Sequence, residues 1–257
     1  MRTLPLVSII TPSFNSAKYI EETIKSVMAQ SYRNIEHIVM DGGSKDGTVA
    51  ILKKYPHLKW VSEKDTGQSN AINKGMRIAK GEIVAWINAD DLYAPYAVSR
   101  AVDFLQKHPE AVMTYGDCEI IGETGGRIGL IKARPYNEFL HLAWFNVIPQ
   151  PGSFFRKSAF DKAGGVDETL HYCMDHELWV RLGRLGKLAC VDGCLAKFRL
   201  VEGTKTFSQN DKFYEDIQNI CKKYGVPSLG WTFRKKMKGA LARIGLLGTY
   251  KHARNAV

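Results

Sequence analysis

Ile83-Val84-Ala85-Trp86-Ile87-Asn88-Ala89-Asp90-Asp91-Leu92-Tyr93-Ala94-Pro95 is an apolar run that ends on two adjacent carboxylates. Five consecutive apolar residues, several of them β-branched or aromatic, predict a strand over Ile83 to Ile87 that is covered on both faces. Two neighbouring carboxylates at its end repel each other unless a cation or a hydrogen-bond donor is present. A hard divalent ion such as Mg²⁺ or Mn²⁺ meets that need, taking one carboxylate and completing its shell with phosphate oxygens and water. Asp91 has an alternative use as the cap of the helix that begins near Pro95; one end needs only one such cap, which leaves Asp90 for the cation.

Upstream, the same alternation occurs three more times. Val7 to Thr11, Ile35 to Met40 and Leu58 to Val61 read as strands, and Tyr19 to Met28, Val49 to Tyr55 and Ser69 to Ala79 as amphipathic helices. Four strand–helix units predict a mostly parallel sheet with helices on both faces. Each strand runs into a polar or Gly-rich loop: Pro12-Ser13-Phe14-Asn15, Asp41-Gly42-Gly43-Ser44, Glu63-Lys64-Asp65-Thr66-Gly67 and Asn88-Ala89-Asp90-Asp91. Ligands of open α/β sheets bind outside the carboxyl ends of the strands, so all four loops are expected to face one site.

Beyond Pro95 the alternation stops. A helix over Ala97 to Lys107 leads to two predicted strands, Val112 to Tyr115 and Glu119 to Gly122, a turn at Thr124-Gly125-Gly126 and a return strand Ile128 to Ile131. Helices are expected near Asn137 to Phe145, Lys157 to Ala163 and Asp175 to Leu185, with a strand around Ser153 to Phe155. Cys190 and Cys194 flank Val191-Asp192-Gly193, which reads as a turn between strands, and all five cysteines read as reduced thiols that pack rather than bind metal.

Four motifs in this order resemble the family 2 glycosyltransferases, inverting enzymes of the A-type fold, over roughly Val7 to Ser208. They are Val7 to Asn15, Asp41-Gly42-Gly43-Ser44-Lys45-Asp46-Gly47-Thr48, Glu63 to Gly75 and Asn88-Ala89-Asp90. The resemblance implies an α/β fold with a Rossmann-like, mostly parallel nucleotide-binding sheet flanked by helices and an antiparallel acceptor-side extension. It divides the chain into a nucleotide-sugar half (1–95), an acceptor half (96–208) and a basic helical tail (209–257).

The resemblance also implies roles. Thr11, Pro12, Phe14 and Asn15 lie on the donor side beside base and ribose, Asp41 bonds the edge of a pyrimidine, commonly uracil, and Asp65 lines the same pocket. The alternative for Asp41 is a turn-forming Asp ahead of two glycines. Asn88 and Asp90 fill the first and third places of the family's Asp-x-Asp motif, so Asp90 holds Mn²⁺ or Mg²⁺ and Asn88 contacts ribose. Asp175, in His171-Tyr172-Cys173-Met174-Asp175-His176-Glu177-Leu178-Trp179, matches the Asp of a Glu-Asp-x-x-Leu-Trp segment and is the expected base, with Glu177 and His176 as substitutes and a helix cap as its structural alternative. Gln150 is expected near donor sugar or acceptor. Arg199 and Lys205 are candidate phosphate contacts, with plain surface exposure as the alternative; Val201 stands where many relatives carry His.

The charge distribution points elsewhere. Of a net charge of +10, nine positive side chains follow Asp216 with no acidic residue among them, leaving 27 basic and 26 acidic residues before them. A nucleic-acid groove along the body is therefore not expected. From Trp231, the apolar positions Phe233, Met237, Leu241, Ile244 and Leu247 near one helical face beside Arg234, Lys235, Lys238 and Arg243 suit an anionic membrane surface, or else packing on the protein itself. No run approaches the roughly 18 apolar residues of a membrane span, and no secretory leader is read, so the expectation is a cytoplasmic protein, peripheral on the inner face of the membrane.

The expected partners are a nucleoside-diphosphate sugar, UDP-linked, and a glycan or lipid-linked acceptor. Three rival readings remain: a sugar nucleotidyltransferase, which needs a basic Gly-rich loop where Pro12-Ser13-Phe14-Asn15 stands, a non-catalytic nucleotide- or glycan-binding module, and a basic nucleic-acid binder whose affinity would depend on the tail.

Overall fold

The computed structural model describes residues 4–144, 146–201, 211–233 and 235–236. Among these residues nine strands form one sheet: β1 (Val7–Ser13), β2 (Ile35–Asp41), β3 (Lys59–Ser62), β4 (Ile83–Trp86), β5 (Leu92–Tyr93), β6 (Ala111–Ile121), β7 (Arg127–Ile131), β8 (Ser153–Arg156) and β9 (Lys187–Arg199). Their order is β3-β2-β1-β4-β8-β6-β9-β5, with β7 on β6. β3, β2, β1 and β4 are parallel, in the register Val7 opposite Ile35 and Ile83. The four units read from the sequence thus form the parallel half, and the remainder is the mixed extension.

Side-chain alternation along the strands divides the core between the faces. Ile10, Val84, Trp86 and Phe155 belong to one apolar cluster, while Ile9, Ile83, Ala85 and Phe154 belong to the other. On the first face pack α3 (Gln68–Ile78), α6 (Lys157–Ala163) and α7 (Met174–Gly183), and on the second α4 (Ala97–Lys107). Trp86 stacks on Trp179 of α7 with ring centroids 5.5 Å apart, and Phe155 sits edge-on to both. This aromatic contact joins the two halves of the chain directly behind the end of β4.

Several expectations are corrected. The two strands expected over 112–122 are one continuous β6, and the turn expected at Val191-Asp192-Gly193 lies inside β9. There the pairing jumps from Tyr115 opposite Cys190 to Asp117 opposite Cys194, a bulge. Gly193 takes a positive φ of 95° within it, and the Arg100 guanidinium covers it, donating to the Asp192 carbonyl. The bulge keeps a turn-like sequence within a strand because β6 supplies partners on both sides.

Asp91 does not cap the helix after Pro95; Tyr96 precedes α4, and Asp91 is fully buried. Nor does Asp175 cap α7, which starts at Met174 behind Cys173, so Asp175 sits in the first turn. Trp231 is not an exposed membrane anchor: it is 7% exposed, and its indole N–H donates to the Leu142 carbonyl. Together with α8 (Asp211–Lys223) it packs on Leu142 and Val180, and the Asp216 carboxylate accepts from the Tyr172 N–H. The remaining apolar stripe of the tail, from 237 onward, and Lys205 lie outside the described residues. Among the described residues, no helix is long and apolar enough to cross a membrane.

Candidate active site

The loops after β1, β2, β3 and β4 open on one cleft of about 1870 Å³, which residues 146–151, the start of α7, α8 and Trp231 also line. The four loops thus meet at the carboxyl ends of the parallel strands, as the alternation implied.

On the donor side the roles separate. Phe14 is 63% exposed, and its ring lies at the cleft with Pro12 and Asn15. Thr11 does not line the cleft: its side chain is fully buried, with Oγ1 2.9 Å from His37 Nε2, because strand alternation puts it on the same sheet face as Ile9 and the neighbouring His37. Asp41 is 2% exposed and organises its own turn. Its Oδ2 accepts from the N–H groups of Gly43 (3.2 Å) and Ser44 (2.9 Å) and from Ser62 Oγ (2.6 Å), and its Oδ1 accepts from Ser44 Oγ. That is the turn-forming alternative, and it leaves Asp41 behind the wall rather than on it. Asn15, in a left-handed backbone conformation, ties this turn to the first loop: its N–H donates to Ser44 Oγ (2.7 Å) and its Oδ1 accepts from the Lys45 N–H (2.9 Å). Asp65 does face the cleft, seated on Gly42, where a Cβ would come within 2.7 Å of its Oδ2. Glycine at position 42 is therefore what lets the third loop approach the second.

At the end of β4, Asn88 and Asp90 line the cleft and Asp91 does not. Asn88 Nδ2 donates to Asp91 Oδ2 (3.0 Å), and its Oδ1 accepts from Gln68 Nε2 (2.7 Å). Gln150 lies beside them, with Nε2 donating to the Trp86 carbonyl (2.8 Å) and Oε1 3.5 Å from Asn88 Nδ2. The amide at position 88 has a physical reason: it donates to Asp91 and accepts from Gln68 at once, whereas a carboxylate there would add a third acidic side chain beside Asp90 and Asp91 and remove the donor to Asp91 Oδ2. Replacing Asn88 by Asp is expected to cost about 1–3 kcal/mol of stability in denaturant unfolding, as befits an unsatisfied buried acceptor; an unchanged or more stable variant would contradict this account.

Burial pushes the Asp90 carboxyl up, its own N–H and the Arg199 charge offsetting this in part. Burial and the Asp90 charge push Asp91 much further, although Asp91 Oδ1 accepts from the Arg199 N–H (2.9 Å). Asp91 is thus committed within the protein, and Asp90 is the carboxylate that remains for a ligand. Among the described residues, no group of three His, Cys, Asp or Glu side chains could enclose a metal. Asp90, a single cleft-lining carboxylate at this point, would suit a cation such as Mg²⁺ or Mn²⁺ that takes one or two protein oxygens and otherwise relies on diphosphate and water.

Asp175, in the first turn of α7, lines the same cleft. Burial pushes its carboxyl up to about 6, the N–H groups of His176 and Asp175 offsetting this in part. A carboxylate poised there is suited to taking a proton at neutral pH. The substitutes are not: Glu177 is 0% exposed and accepts from Arg181 Nε (2.8 Å), Lys223 Nζ (2.8 Å) and the Tyr224 hydroxyl (2.7 Å). These partners more than offset its burial and hold it below the ordinary range. The His176 ring stacks on His141, with centroids 3.9 Å apart, and burial pushes it far down, so it is neutral and a poor base.

Arg199 is neither a phosphate contact nor a surface residue. It is 1% exposed and faces away from the cleft, bonded to main-chain carbonyls and Glu22. Among the described residues, the cations that do line the cleft are Lys18, Lys64, Lys132 and Arg134, three of which no sequence pattern singled out. Tyr172, Phe213, Tyr214 and Trp231 add an aromatic wall. Part of it comes from beyond 208; the signal was the apolar stripe Phe213, Tyr214, Ile217, Ile220 in the amphipathic helix α8.

A family model described as Glycosyl transferase family 2 matches residues 8–164. An uncharacterized glycosyltransferase of Rickettsia prowazekii is 31% identical over 223 residues, which cover 83% of this chain and 70% of that protein. Among solved structures, S. aureus TarS 1–349 in complex with UDP-GlcNAc superposes with a TM-score of 0.65 at 20% identity, covering 84% of this chain and 65% of that one. The mannosyltransferase PcManGT from Pyrobaculum calidifontis, in complex with GDP-Man and Mn²⁺, gives 0.67 at 20% identity, covering 87% and 65%. At these identities the structures share the fold, that of the A-type glycosyltransferases. With the family model spanning more than half of its length, the chain belongs to glycosyl transferase family 2.

Proposed function

We propose that this chain is a metal-dependent inverting glycosyltransferase that moves a hexosyl or N-acetylhexosaminyl unit from a UDP-linked donor to a hydroxyl of a glycan or lipid-linked acceptor. The observation that carries this reading is that Asp90 and Asp175 line one cleft, Asp90 at the end of β4 and Asp175 in the first turn of α7 with its carboxyl raised to about 6. Phe14 and Asp65 flank the base, and Asn88 and Gln150 lie beside the ribose and sugar. Asp90 would hold Mn²⁺ or Mg²⁺, which when bound neutralises the diphosphate and the charge that grows on the leaving group.

Asp175 then takes the proton of the acceptor hydroxyl as its oxygen forms the bond to the anomeric carbon. The bond from that carbon to the diphosphate oxygen breaks on the opposite face, and its electron pair leaves with the nucleoside diphosphate. Attack and departure on opposite faces give inversion. The aromatic wall of Tyr172, Tyr214 and Trp231 is suited to the apolar face of an acceptor sugar, which supports a glycan over a small alcohol.

Titration of the protein with UDP, GDP, ADP and CDP, with and without Mn²⁺, tests the donor side. Tight binding is expected for UDP only, strengthened by Mn²⁺. A preference for GDP would overturn the base assignment and leave the rest standing, whereas no metal effect on any nucleotide would overturn the role of Asp90.

A further inference from the structure

Among the described residues, Arg199 is the third largest side chain that is fully buried, after Trp86 and Trp179, and its guanidinium gathers three separate segments. Nε donates to the Asp90 carbonyl (3.0 Å), at the end of the β4 loop. Nη1 donates to the carbonyls of Glu123 (2.9 Å) and Gly122 (3.4 Å), in the β6–β7 turn. Nη2 pairs with Glu22 Oε2 (2.6 Å) of α1 (Ile20–Met28), and the guanidinium carbon lies 4.6 Å over the Tyr19 ring. The Arg199 N–H meanwhile bonds Asp91 Oδ1. One residue thus grips the main chain of Asp90 and the side chain of Asp91 from behind, while the turn it holds carries Glu123, the partner of Lys18 at the cleft.

We propose that Arg199 is a positioning residue for sugar transfer, fixing the Asp90 main chain so that its carboxylate is aimed at the cation and diphosphate of the donor. This rests on the metal role proposed for Asp90. Groups behind a metal-bound carboxylate decide its orientation, and their loss typically lowers metal affinity about 10–100-fold. The planar fork is essential, because a lysine ammonium supplies charge but cannot reach Asp90, Glu123 and Glu22 in one plane.

The full chain is tested as Arg199→Lys, and as Glu22→Gln, which alters a partner that is half exposed and leaves the buried cation in place. UDP binding is measured by calorimetry with and without Mn²⁺, Mn²⁺ binding to the UDP complex by electron paramagnetic resonance, and folding by thermal unfolding. In Arg199→Lys, the Mn²⁺-supported affinity is expected to fall about 10–100-fold, while metal-free UDP binding, set at Phe14 and Asp65, changes by less than about twofold. Glu22→Gln is expected to show a smaller split in the same direction. Equal loss of both affinities, or no change in either variant, would overturn the proposal by reducing Arg199 to a structural clamp. If Arg199→Lys fails to fold, Glu22→Gln alone decides. Wild-type protein whose UDP binding ignores Mn²⁺ would instead remove the role of Asp90, and the proposal with it.

Discussion

Sugar transfer by Asp175→Asn is expected to fall about 10²- to 10⁴-fold, the usual worth of a positioned general base, with UDP binding retained. Measured turnover equal to wild type would remove Asp175 from the mechanism. Asparagine keeps the shape and hydrogen-bonding reach of the side chain but cannot accept the acceptor's proton. The same residue sets a pH signature: with its carboxyl raised to about 6, the wild-type rate should climb with pH through that value and level off above it.

Stability should move the opposite way. Because the folded pKa lies above the ordinary 3.8, folded protein binds the proton more tightly than unfolded chain does. The folded state therefore loses stability as pH rises from about 4 to about 6, and the loss persists above that range. Its upper bound is about 3 kcal/mol, reduced by whatever water in the cleft solvates the charge. At pH 7.5 Asp175→Asn is thus expected to unfold at a higher temperature than wild type while being inactive, and at pH 4 the difference should shrink. A variant that is inactive and less stable at pH 7.5 would indicate a packing role.

The second large effect concerns Asp90. Asp90→Asn is expected to lower transfer about 10²- to 10³-fold, the scale on which a preorganised charge stabilises a developing anion. The loss should appear as a flattened dependence of rate on Mn²⁺, and chelator should reduce wild-type activity toward that of the variant. Stability is expected to hold or improve, since the change removes one of two like charges in a buried pair. Wild-type dependence on Mn²⁺ in Asp90→Asn would show that another group holds the cation.

Much of the donor half was legible because its information is local. Apolar runs of period two and 3.6 mark β1 to β4 and the helices between them, and Gly and Asp mark where each strand must stop. Asp41 shows the limit of such reading. A carboxylate before two glycines is equally a ligand contact and a turn former, and the choice depended on Ser62, which lies 21 residues away in sequence and donates to it. Thr11 fails for a related reason: strand alternation puts it on one face, but whether that face is cleft or core depends on His37 in the neighbouring strand.

The sequence by itself determined the parallel sheet, the gathering of four loops at one edge and the placing of Asp90 at a strand end, since strand period and loop composition act within a few residues. Tertiary structure alone decided which charges are free. Asp90 and Arg199 are 109 residues apart, as are no two groups that a local pattern can pair, yet one holds the other's carbonyl. Glu177, adjacent in pattern to Asp175, is consumed by Arg181, Lys223 and Tyr224. A buried charge requires a partner, and the identity of that partner is fixed only when distant segments pack.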